Sequence, residues 1–216
     1  MFVEVKVTKK IIHDLKLKFV VSYTTRAKRE KETEGVEHYF ITPEVAKEKM
    51  HTEQILAYTK IGEIEYFATL EALNDSNLYI IDPAGIKYLK NNFPKLNIKV
   101  IYVMTDSDLR IERAKLRDNE DFAKSFEKRN TAEDEQFTEF ENERSYNYII
   151  YNNSDQKYAV NCLIDYVIQT TKDALESDND LPLYCIVGRT GSGKDSICKH
   201  AIEYFENTKG KFTVGS

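Results

Sequence analysis

The sequence is poor in cysteine and contains no long run of apolar residues. Its three cysteines, Cys162, Cys185 and Cys198, lie far apart in the chain. They have neither the spacing of a disulfide framework nor that of a zinc site, so we expect reduced thiols and a cytoplasmic location. No stretch approaches the roughly 18 consecutive apolar residues that a membrane-spanning helix requires. The first residues interleave charged and apolar types, which predicts neither secretion nor membrane insertion.

An excess of positive charge is also absent. The 216 residues include 31 lysines and arginines against 36 aspartates and glutamates, which gives a net charge of -5 at pH 7. Because the phosphates of DNA and RNA favour a basic protein surface, this balance argues against polymeric nucleic acid as a partner. Local clusters of basic residues can still bind a small anion.

Strand and helix signals alternate along the chain. Residues 2–8 alternate apolar and polar types, and residues 17–22 are a second candidate strand. Residues 78–82, 98–104 and 183–187 have the composition of buried strands, and residues 157–174 have that of an amphipathic helix. Such alternation predicts an α/β fold, a mostly parallel sheet with helices on both faces. The length suits a single domain over the whole chain, within which the acidic segment 175–182 has the composition of a linker.

The most specific motif lies late in the chain. Residues 188–194 read GRTGSGK, which matches the G-x-x-x-x-G-K pattern of a phosphate-binding loop between an apolar strand and a helix. Glycines allow successive backbone N–H groups to point at phosphate oxygens, and the N-terminus of the helix adds its positive dipole. The sequence therefore predicts a nucleotide site at Gly188, Arg189, Thr190, Gly191, Ser192, Gly193, Lys194, Asp195 and Ser196.

The residue after the lysine departs from the usual pattern. Ser or Thr normally holds magnesium at this position, whereas this chain has Asp195 followed by Ser196. A carboxylate there can ligate Mg²⁺ directly or through water. It can equally cap the helix and interact with its dipole. The sequence leaves both interpretations open.

A second signature lies near the start of the chain. Residues 22–30 read SYTTRAKRE, in which Arg26 and Arg29 supply two planar groups suited to a monophosphate. Two arginines at this spacing are, by themselves, more often a solvated surface pair. Here they stand in a longer pattern, because residues 35–40 read GVEHYF and residues 80–85 read IIDPAG.

This longer pattern resembles the guanylate kinase family, whose signature reads S-x-T-T-R-x-P-R-x-G-E-x-x-G-x-D-Y-x-F. The resemblance covers most of residues 17–153, and the phosphate loop supplies what they lack. It implies a P-loop NTPase-type core at residues 17–34 and 76–216, a small monophosphate-binding lobe at 35–73 and a helical lid at 113–135. Residues 183–216 then supply the phosphate-loop strand, its helix and a terminal strand.

The resemblance also implies ligands and residue roles. ATP with Mg²⁺ is expected at the phosphate loop and a nucleoside monophosphate at the other signature. The implied acceptor-binding residues are Ser22, Arg26, Arg29, His38, Tyr39, Tyr66 and Asp82. The implied catalytic residues are Lys194, Arg113, Arg117 and Arg129. Asn152 falls on the adenine side, and the candidate metal ligands are Asp195, Ser196 and Asp82.

Several of these residues have simpler interpretations. Arg113 and Arg117 are four residues apart, so they share a helix face and repel each other unless an anion lies between them; the alternative is a solvent-facing basic helix. Asp82 ends a buried strand, where an α/β sheet places its ligands, but it can also cap the helix that follows. Asn152 fits a turn without any ligand. Either His38 or Tyr39 can serve as the donor that is usually a tyrosine in the family.

The small lobe departs from the family at the positions expected to read guanine. The expected carboxylate falls at Ala57 and the expected hydroxyl at Ala68, next to Thr69. An acceptor base that loses buried polar partners is penalised by about 1–3 kcal/mol for each unpaired group. Either Glu63 or Glu65 replaces the carboxylate, or the acceptor is another ribo- or deoxynucleoside monophosphate.

The order of the motifs is a second departure, because the phosphate loop follows the acceptor and lid segments. A circular permutant is one explanation. Phe19-Val-Val and Phe212-Thr-Val would then encode one strand at both chain ends. A second copy that begins at residue 183 and remains incomplete is the other. Either arrangement allows a homodimer that completes its sites by exchanging strands.

The sequence therefore predicts a nucleoside monophosphate kinase, a transferase that moves the γ-phosphoryl group of ATP to GMP, dGMP or a related acceptor. Such a reaction requires positioning and charge neutralisation and no side-chain nucleophile. The alternative is a non-catalytic guanylate kinase-like binding module. The complete glycine loop with Lys194 favours the enzyme, since a module has no use for a donor site.

Overall fold

A computed structural model describes residues 15–30, 32–118 and 122–208, without the side chains of residues 117–118, 122–125, 127–129 and 132. In chain order, its elements are β1 (Ser22–Thr24), β2 (His38–Phe40), α1 (Pro43–Thr52), β3 (Ile55–Ile61), β4 (Ile64–Thr69), β5 (Leu78–Ile80), α2 (Pro83–Asn92), β6 (Ile98–Met104), α3 (Ser107–Asp118), α4 (Phe122–Asn142), β7 (Tyr148–Tyr151), α5 (Gln156–Glu176), β8 (Leu183–Val187) and α6 (Lys194–Thr208). The predicted strand at residues 2–8 and the repeat at Phe212 lie outside the described residues.

The core sheet is parallel and has the strand order β5-β8-β6-β7. β8, the last strand among the described residues, therefore lies between two strands encoded well before it. All five of its residues are buried, because strands flank it on both edges and helices cover both faces. This arrangement places the beginning of the phosphate loop at the centre of the sheet.

Both faces of the core sheet are covered, as the alternating pattern predicts. On one face, apolar residues of α5 and α6 pack against Tyr184 and Ile186 of β8. On the other face, Leu183, Cys185 and Val187 pack with apolar residues of α2 and α4. The alternation of β8 side chains between two cores is what a strand buried on both sides requires. The predicted α/β fold is confirmed.

A second sheet with the order β2-β1-β4-β3 forms the small lobe. Its β3–β4 hairpin turns at Gly62, which has a φ of 61°. A short 3₁₀ helix, Leu70–Asn74, and the bridge from Phe19 to Leu78 connect this lobe to the core sheet. The strand predicted around Phe19 is thus shorter than expected, and regular pairing begins at Ser22.

All four core strands are parallel, so their carboxyl ends meet at one edge of the sheet. Asp82 follows β5, the phosphate loop follows β8, Thr105 follows β6 and Asn152 follows β7. Ligands of open α/β sheets bind at this edge. In the part of the chain that the structure describes, no helix is long and apolar enough to span a membrane.

Candidate active site

The phosphate loop turns sharply between β8 and α6. Gly191 and Gly193 each have a φ of 82°, a left-handed conformation that glycine adopts without steric cost. The space around them is also closed to side chains. A Cβ atom at Gly191 would lie 2.5 Å from the carbonyl oxygen of Arg110, and one at Gly193 would lie 2.6 Å from Nδ2 of Asn152. The glycines predicted from the motif are therefore required here by backbone conformation and by packing.

The carbonyl oxygen of Ser192 anchors the loop to the ends of β6 and β7. It accepts hydrogen bonds from Thr105 Oγ1 at 3.0 Å, Asn152 Nδ2 at 2.8 Å and Arg113 Nη1 at 3.5 Å. Arg113 Nη2 also donates to the carbonyl oxygen of Asn152 at 2.9 Å. In this conformation the side chains of Arg113 and Asn152 bind the backbone of the loop. Their expected contacts with phosphate and adenine remain predictions.

Two buried polar atoms beside this anchor have no hydrogen-bond partner among the described residues. They are Oδ1 of Asn152 and Oγ of Ser192, whose residues are 2% and 1% exposed. Buried polar groups are normally paired, because an unmade hydrogen bond costs about 1–3 kcal/mol. Unsatisfied polar atoms at the edge of the phosphate loop are typical of a site that orders water or ligand.

The long helix α4 lies over the first half of the loop. The backbone N–H and the hydroxyl of Thr190 both donate to the carboxylate of Glu133, at 2.9 and 2.5 Å. Arg189 pairs with Asp134 at 2.5 Å and lies over the ring of Phe137. Helix α4 is thus bound to the loop through several charged contacts. The side chains of the predicted lid arginines, Arg117 in α3 and Arg129 in α4, lie outside the described residues.

Residues of the second signature form a polar cluster in the small lobe. Ser22 and His38 lie opposite each other on β1 and β2, and Ser22 Oγ is 2.9 Å from His38 Nδ1. The ring of His38 meets that of Tyr66 edge to face. Burial lowers the pKa of His38, which favours a neutral imidazole at pH 7. The structure therefore brings Ser22, His38 and Tyr66 together, as predicted for a phosphate-binding group.

The two signature arginines differ in their surroundings. Arg26 donates to both carboxylate oxygens of Glu32, at 2.6 and 2.7 Å, and lies over the ring of Phe40. Hydrogen bonding from Arg26 lowers the pKa of Glu32 to about 2. Arg29 is more exposed and reaches the same carboxylate at 3.7 Å. An intramolecular carboxylate thus holds the arginine predicted to bind the acceptor phosphate.

Tyr39 is not part of this cluster. Side chains alternate along β2, so Tyr39 points to the opposite side from His38. Its ring stacks on Tyr23, with the centroids 5.0 Å apart, and Tyr23 in turn stacks on Phe67. Of the two alternatives for the donor beside Ser22, the geometry favours His38.

Asp82 links the two sheets. It caps α2 by accepting a hydrogen bond from the N–H of Gly85 at 2.7 Å, and it accepts another from the hydroxyl of Thr59 on β3 at 2.8 Å. Burial raises the pKa of this carboxyl. The preceding residue, Ile81, donates to the carbonyl oxygen of Ile186 in β8. The capping role of Asp82 is therefore present, and the same residue lies between the small lobe and the phosphate-loop strand.

A second contact joins the small lobe to the phosphate-loop helix. Lys199 of α6 lies 3.6 Å from Glu37, the residue before His38. This ion pair attaches the small lobe to α6, and the Thr59–Asp82 hydrogen bond attaches it to the end of β5. Segments from near both ends of the described chain thus border a common edge.

The wall expected to read the acceptor base is apolar. Ala57 on β3 lies directly opposite Ala68 on β4, and both are buried. Glu65 does not replace the missing carboxylate, because strand alternation puts it on the opposite face from Tyr66 and Ala68. There it accepts a hydrogen bond from Tyr58 at 3.0 Å. Glu63 is in the hairpin turn with a side chain that is 97% exposed.

The candidate metal ligands lie at the start of α6. Asp195 is exposed in the first turn, whereas the hydroxyl of Ser196 accepts a hydrogen bond from Gln156 at 2.5 Å. Mg²⁺ in phosphate sites is typically held by one or two carboxylates together with phosphate oxygens and water. An exposed Asp195 fits that chemistry, and the engaged hydroxyl of Ser196 fits it less well.

Three residues at the site were not identified from the sequence. Thr59 was detectable in principle, since it lies two residues beyond Ala57 on the same face of β3. Arg110 and Glu133 carry no signal of this kind, because they belong to helices rich in both charge signs. Only the fold shows which of those charges meet the loop.

Comparison with known proteins identifies the family. The guanylate kinase family model matches residues 5–169, well over half of the chain, and the phosphate loop lies beyond the matched segment. A guanylate kinase of Pasteurella multocida is 30% identical over 107 residues, 46% of this chain and 50% of that protein. The chain thus spans about half the length of that relative.

Two further matches extend over more of the chain. A guanylate kinase of Fusobacterium nucleatum is 28% identical over 171 residues, 74% of this chain and 87% of that protein. The crystal structure of guanylate kinase from Anaplasma phagocytophilum has a TM-score of 0.52 and 22% identity, and it covers 76% of this chain and 79% of that chain. At this identity the structural match supports the fold alone. The extent of the family match shows that this chain belongs to the guanylate kinase family.

Proposed function

We propose that this protein is an ATP-dependent nucleoside monophosphate kinase. It transfers the γ-phosphoryl group of ATP to GMP, dGMP or a related ribo- or deoxynucleoside monophosphate. The observation that carries the proposal is the position of β8 between β5 and β6. That position aligns the phosphate loop with Asp82 and the acceptor lobe at one edge of the sheet.

The donor would bind at residues 188–196. Backbone N–H groups of the glycine loop and the N-terminus of α6 favour phosphate oxygens. Lys194, the first residue of α6, would neutralise charge on the transferring group. Mg²⁺ held by Asp195 would shield the phosphates further. The support for Asp195 is its exposure at the edge of the loop.

The acceptor phosphate would bind at Arg26, Arg29, Ser22, His38 and Tyr66. Glu32 holds Arg26 in an orientation that presents its guanidinium beside this cluster. A neutral His38 supplies a donor without adding charge. We propose that Arg113, Arg117 and Arg129 approach the phosphates when the lid closes and water is excluded. No side chain of the protein needs to form a covalent intermediate.

The acceptor base would be read weakly. Ala57 and Ala68 offer no hydrogen bond to the purine edge, so a strict preference for guanine finds no support in this wall. Thr59, two residues beyond Ala57, is the nearest polar side chain on the same face of β3. We therefore propose an acceptor range broader than GMP alone.

A substrate panel tests the proposal. Purified protein is incubated with ATP, Mg²⁺ and each ribo- and deoxynucleoside monophosphate, and formation of the diphosphate is followed directly. We expect turnover with at least one purine monophosphate and a loss of about a hundredfold or more in Lys194→Ala. The matched control is Lys95→Ala, an exposed lysine in the loop after α2, which should leave turnover unchanged.

A non-catalytic binding module is the second candidate. The two paired alanines on the base-reading wall are the observation that favours it, because a module is free to lose nucleotide contacts. If the protein binds ATP but phosphorylates no acceptor in the panel, the module replaces the kinase.

The chain order suggests how this protein arose. We propose a circular permutant in which the segment 175–182 joins the last helix of the family fold to its phosphate-loop strand. The pairing of β8 with β5 and β6 within one chain supports this proposal over an incomplete second copy. A homodimer with exchanged strands remains an alternative that solution experiments can decide.

A further inference from the structure

The contact between Glu133 and Thr190 engages the first half of the phosphate-binding loop. Thr190 is the third residue of the loop, and both of its donors, the backbone N–H and the hydroxyl, bind the two oxygens of one carboxylate. Loops of this kind use such donors for the oxygens of nucleotide phosphates. A carboxylate of the protein therefore occupies donors that a nucleotide would use.

Neighbouring contacts fix the helix that carries this carboxylate. Asn130, one turn before Glu133 on α4, accepts a hydrogen bond from Arg110 Nη1 at 3.2 Å. The same Arg110 nitrogen donates to the carbonyl oxygen of Thr190 at 3.3 Å. Arg110 is only 6% exposed, and its Nε atom has no partner in the described part of the chain. The backbone N–H of Thr190 thus binds Glu133, and its carbonyl oxygen binds Arg110. Nε of the buried Arg110 side chain remains without a partner among the described residues.

Electrostatics prevents Glu133 and a nucleotide from sharing these donors. Two anions a few ångströms apart in a partly buried site repel each other strongly, and the donors of Thr190 have no capacity for both. The unpaired Nε of Arg110 is a further donor for an anion beside Thr190. Glu133 must therefore move away when an anionic ligand enters the first half of the loop.

We propose that Glu133 is a displaceable internal ligand of the phosphate loop. It satisfies the donors of Thr190 while the loop holds no nucleotide, and the phosphates of ATP replace it. Its departure breaks the carboxylate contact between Thr190 and α4, while the contacts of Arg189 and Arg110 with the same helix remain. This inference rests on the proposed donor site, and it holds whatever the acceptor.

Removal of the competing charge tests the inference. Glu133→Gln keeps the size of the side chain and removes its charge, and the dissociation constant for ATP with Mg²⁺ is measured by titration calorimetry. We expect ATP to bind this variant about tenfold more tightly than it binds the unchanged protein. A neutral glutamine forms weaker hydrogen bonds with Thr190 than a carboxylate does, so it competes less with the phosphates. The melting temperature without nucleotide should fall, because the loop loses a charged partner.

The matched control is Glu135→Gln, which removes the charge of an exposed residue two positions further along α4. It should change neither the ATP affinity nor the melting temperature. Glu133→Asp provides a second variant, which keeps the charge and shortens its reach by one methylene group. An increase in ATP affinity smaller than that of Glu133→Gln is expected, and this variant decides the outcome if the glutamine variant does not fold.

Equal or weaker ATP binding by the Glu133 variants would overturn the inference, since a competing group must oppose the ligand that displaces it. Absence of ATP binding in all of the proteins would overturn both the inference and the donor site. Tighter binding without turnover on any acceptor would leave the inference intact and contradict only the proposed kinase activity.

Discussion

Single residues determine whether the phosphate loop can form. Gly191 combines a left-handed backbone with a close approach to the backbone of Arg110, so two separate costs oppose any side chain there. Gly62 has a similar φ of 61° but no atom within 4 Å of a Cβ position. A comparison of Gly191 with Gly62 therefore separates the cost of backbone strain from the cost of steric exclusion.

Gly191→Ala should therefore reduce both stability and nucleotide binding. Strain costs about 1 kcal/mol and the clash with Arg110 adds to it, so we expect a loss of about 2–3 kcal/mol in the free energy of unfolding. The dissociation constant for ATP should rise about tenfold or more. Gly62→Ala should cost about 1 kcal/mol and leave ATP binding unchanged. Equal effects of the two substitutions in urea denaturation and calorimetry would contradict the role given to Gly191.

The ion pair of Arg26 and Glu32 should make the stability of the folded protein depend on pH. Arg26 lowers the pKa of Glu32 from 4.5 to about 2 in the folded protein. A lowered pKa stabilises the folded state above the unfolded pKa, and this stabilisation is lost as the pH falls from about 4.5 towards 2. We expect Glu32→Gln to cost about 2 kcal/mol at pH 7, because its side chain is mostly buried.

The measurement is denaturant unfolding of the unchanged protein, Glu32→Gln and the exposed control Glu71→Gln from pH 7 to pH 2. The difference between the first two proteins should disappear within the acid window. A constant difference at every pH would show that Glu32 acts through packing and not through its charge.

At the scale of elements, we propose that the β3–β4 hairpin governs which acceptor fits. Pairing of Ala57 with Ala68 makes one patch of the hairpin apolar, while Thr59 and Tyr66 continue the same face with polar groups. Such a wall would contact an acceptor base mainly by its shape. Specificity would then depend on the elements around the lobe more than on hydrogen bonds to the base edge.

A comparison of GMP with IMP measures this effect without any mutation. IMP lacks the 2-amino group, which a carboxylate on the wall would bind. Sites that hydrogen-bond a substrate group reject analogues without it by factors of about 10⁴ or more. We expect kcat/KM for the two acceptors to differ by less than about tenfold, because Ala57 and Ala68 offer no partner for the amine and the carboxylate of Asp82 is already engaged by Thr59 and Gly85. A preference for GMP of a thousandfold would require a hidden carboxylate and would refute this description of the wall.

The elements themselves differ in how well the sequence predicts them. The strands at residues 98–104 and 183–187 are confirmed with the same bounds, because continuous apolar runs between turn signals have few other interpretations. The predicted beginning of the first strand is not confirmed, because β1 starts at Ser22 and Phe19 forms only an isolated bridge. The contacts of α4 with the loop were beyond prediction, because periodicity does not assign partners to charged residues.

At the scale of the whole molecule, β8 completes a sheet formed by earlier segments. The motifs indicated which residues carry the chemistry, and the strand order β5-β8-β6-β7 supplies their spatial relation. Hydrophobic patterns do not encode strand order, so sequence alone left open whether the loop serves its own chain. The Lys199–Glu37 ion pair joins the small lobe to the phosphate-loop helix, and we propose that the site is completed within one chain.

A mixing experiment tests that relation. Lys194→Ala disables the donor side and Arg26→Ala the acceptor side, and each protein alone should be inactive. If each chain completes its own site, unfolding and refolding the two variants together should restore no turnover. A dimer with exchanged strands would instead regain a fraction of the original activity, because some of its sites would combine two intact halves.

The central claim is that the donor loop and the acceptor arginine pair face each other across one cleft of one chain. Calorimetric titration with adenosine and guanosine joined through their 5′ oxygens by five phosphates tests it most directly, since this compound spans both sites. We expect one molecule bound for each chain, more tightly than ATP or GMP, and weaker binding in both Lys194→Ala and Arg26→Ala. Binding no tighter than that of ATP, and unaffected by Arg26→Ala, would contradict the claim.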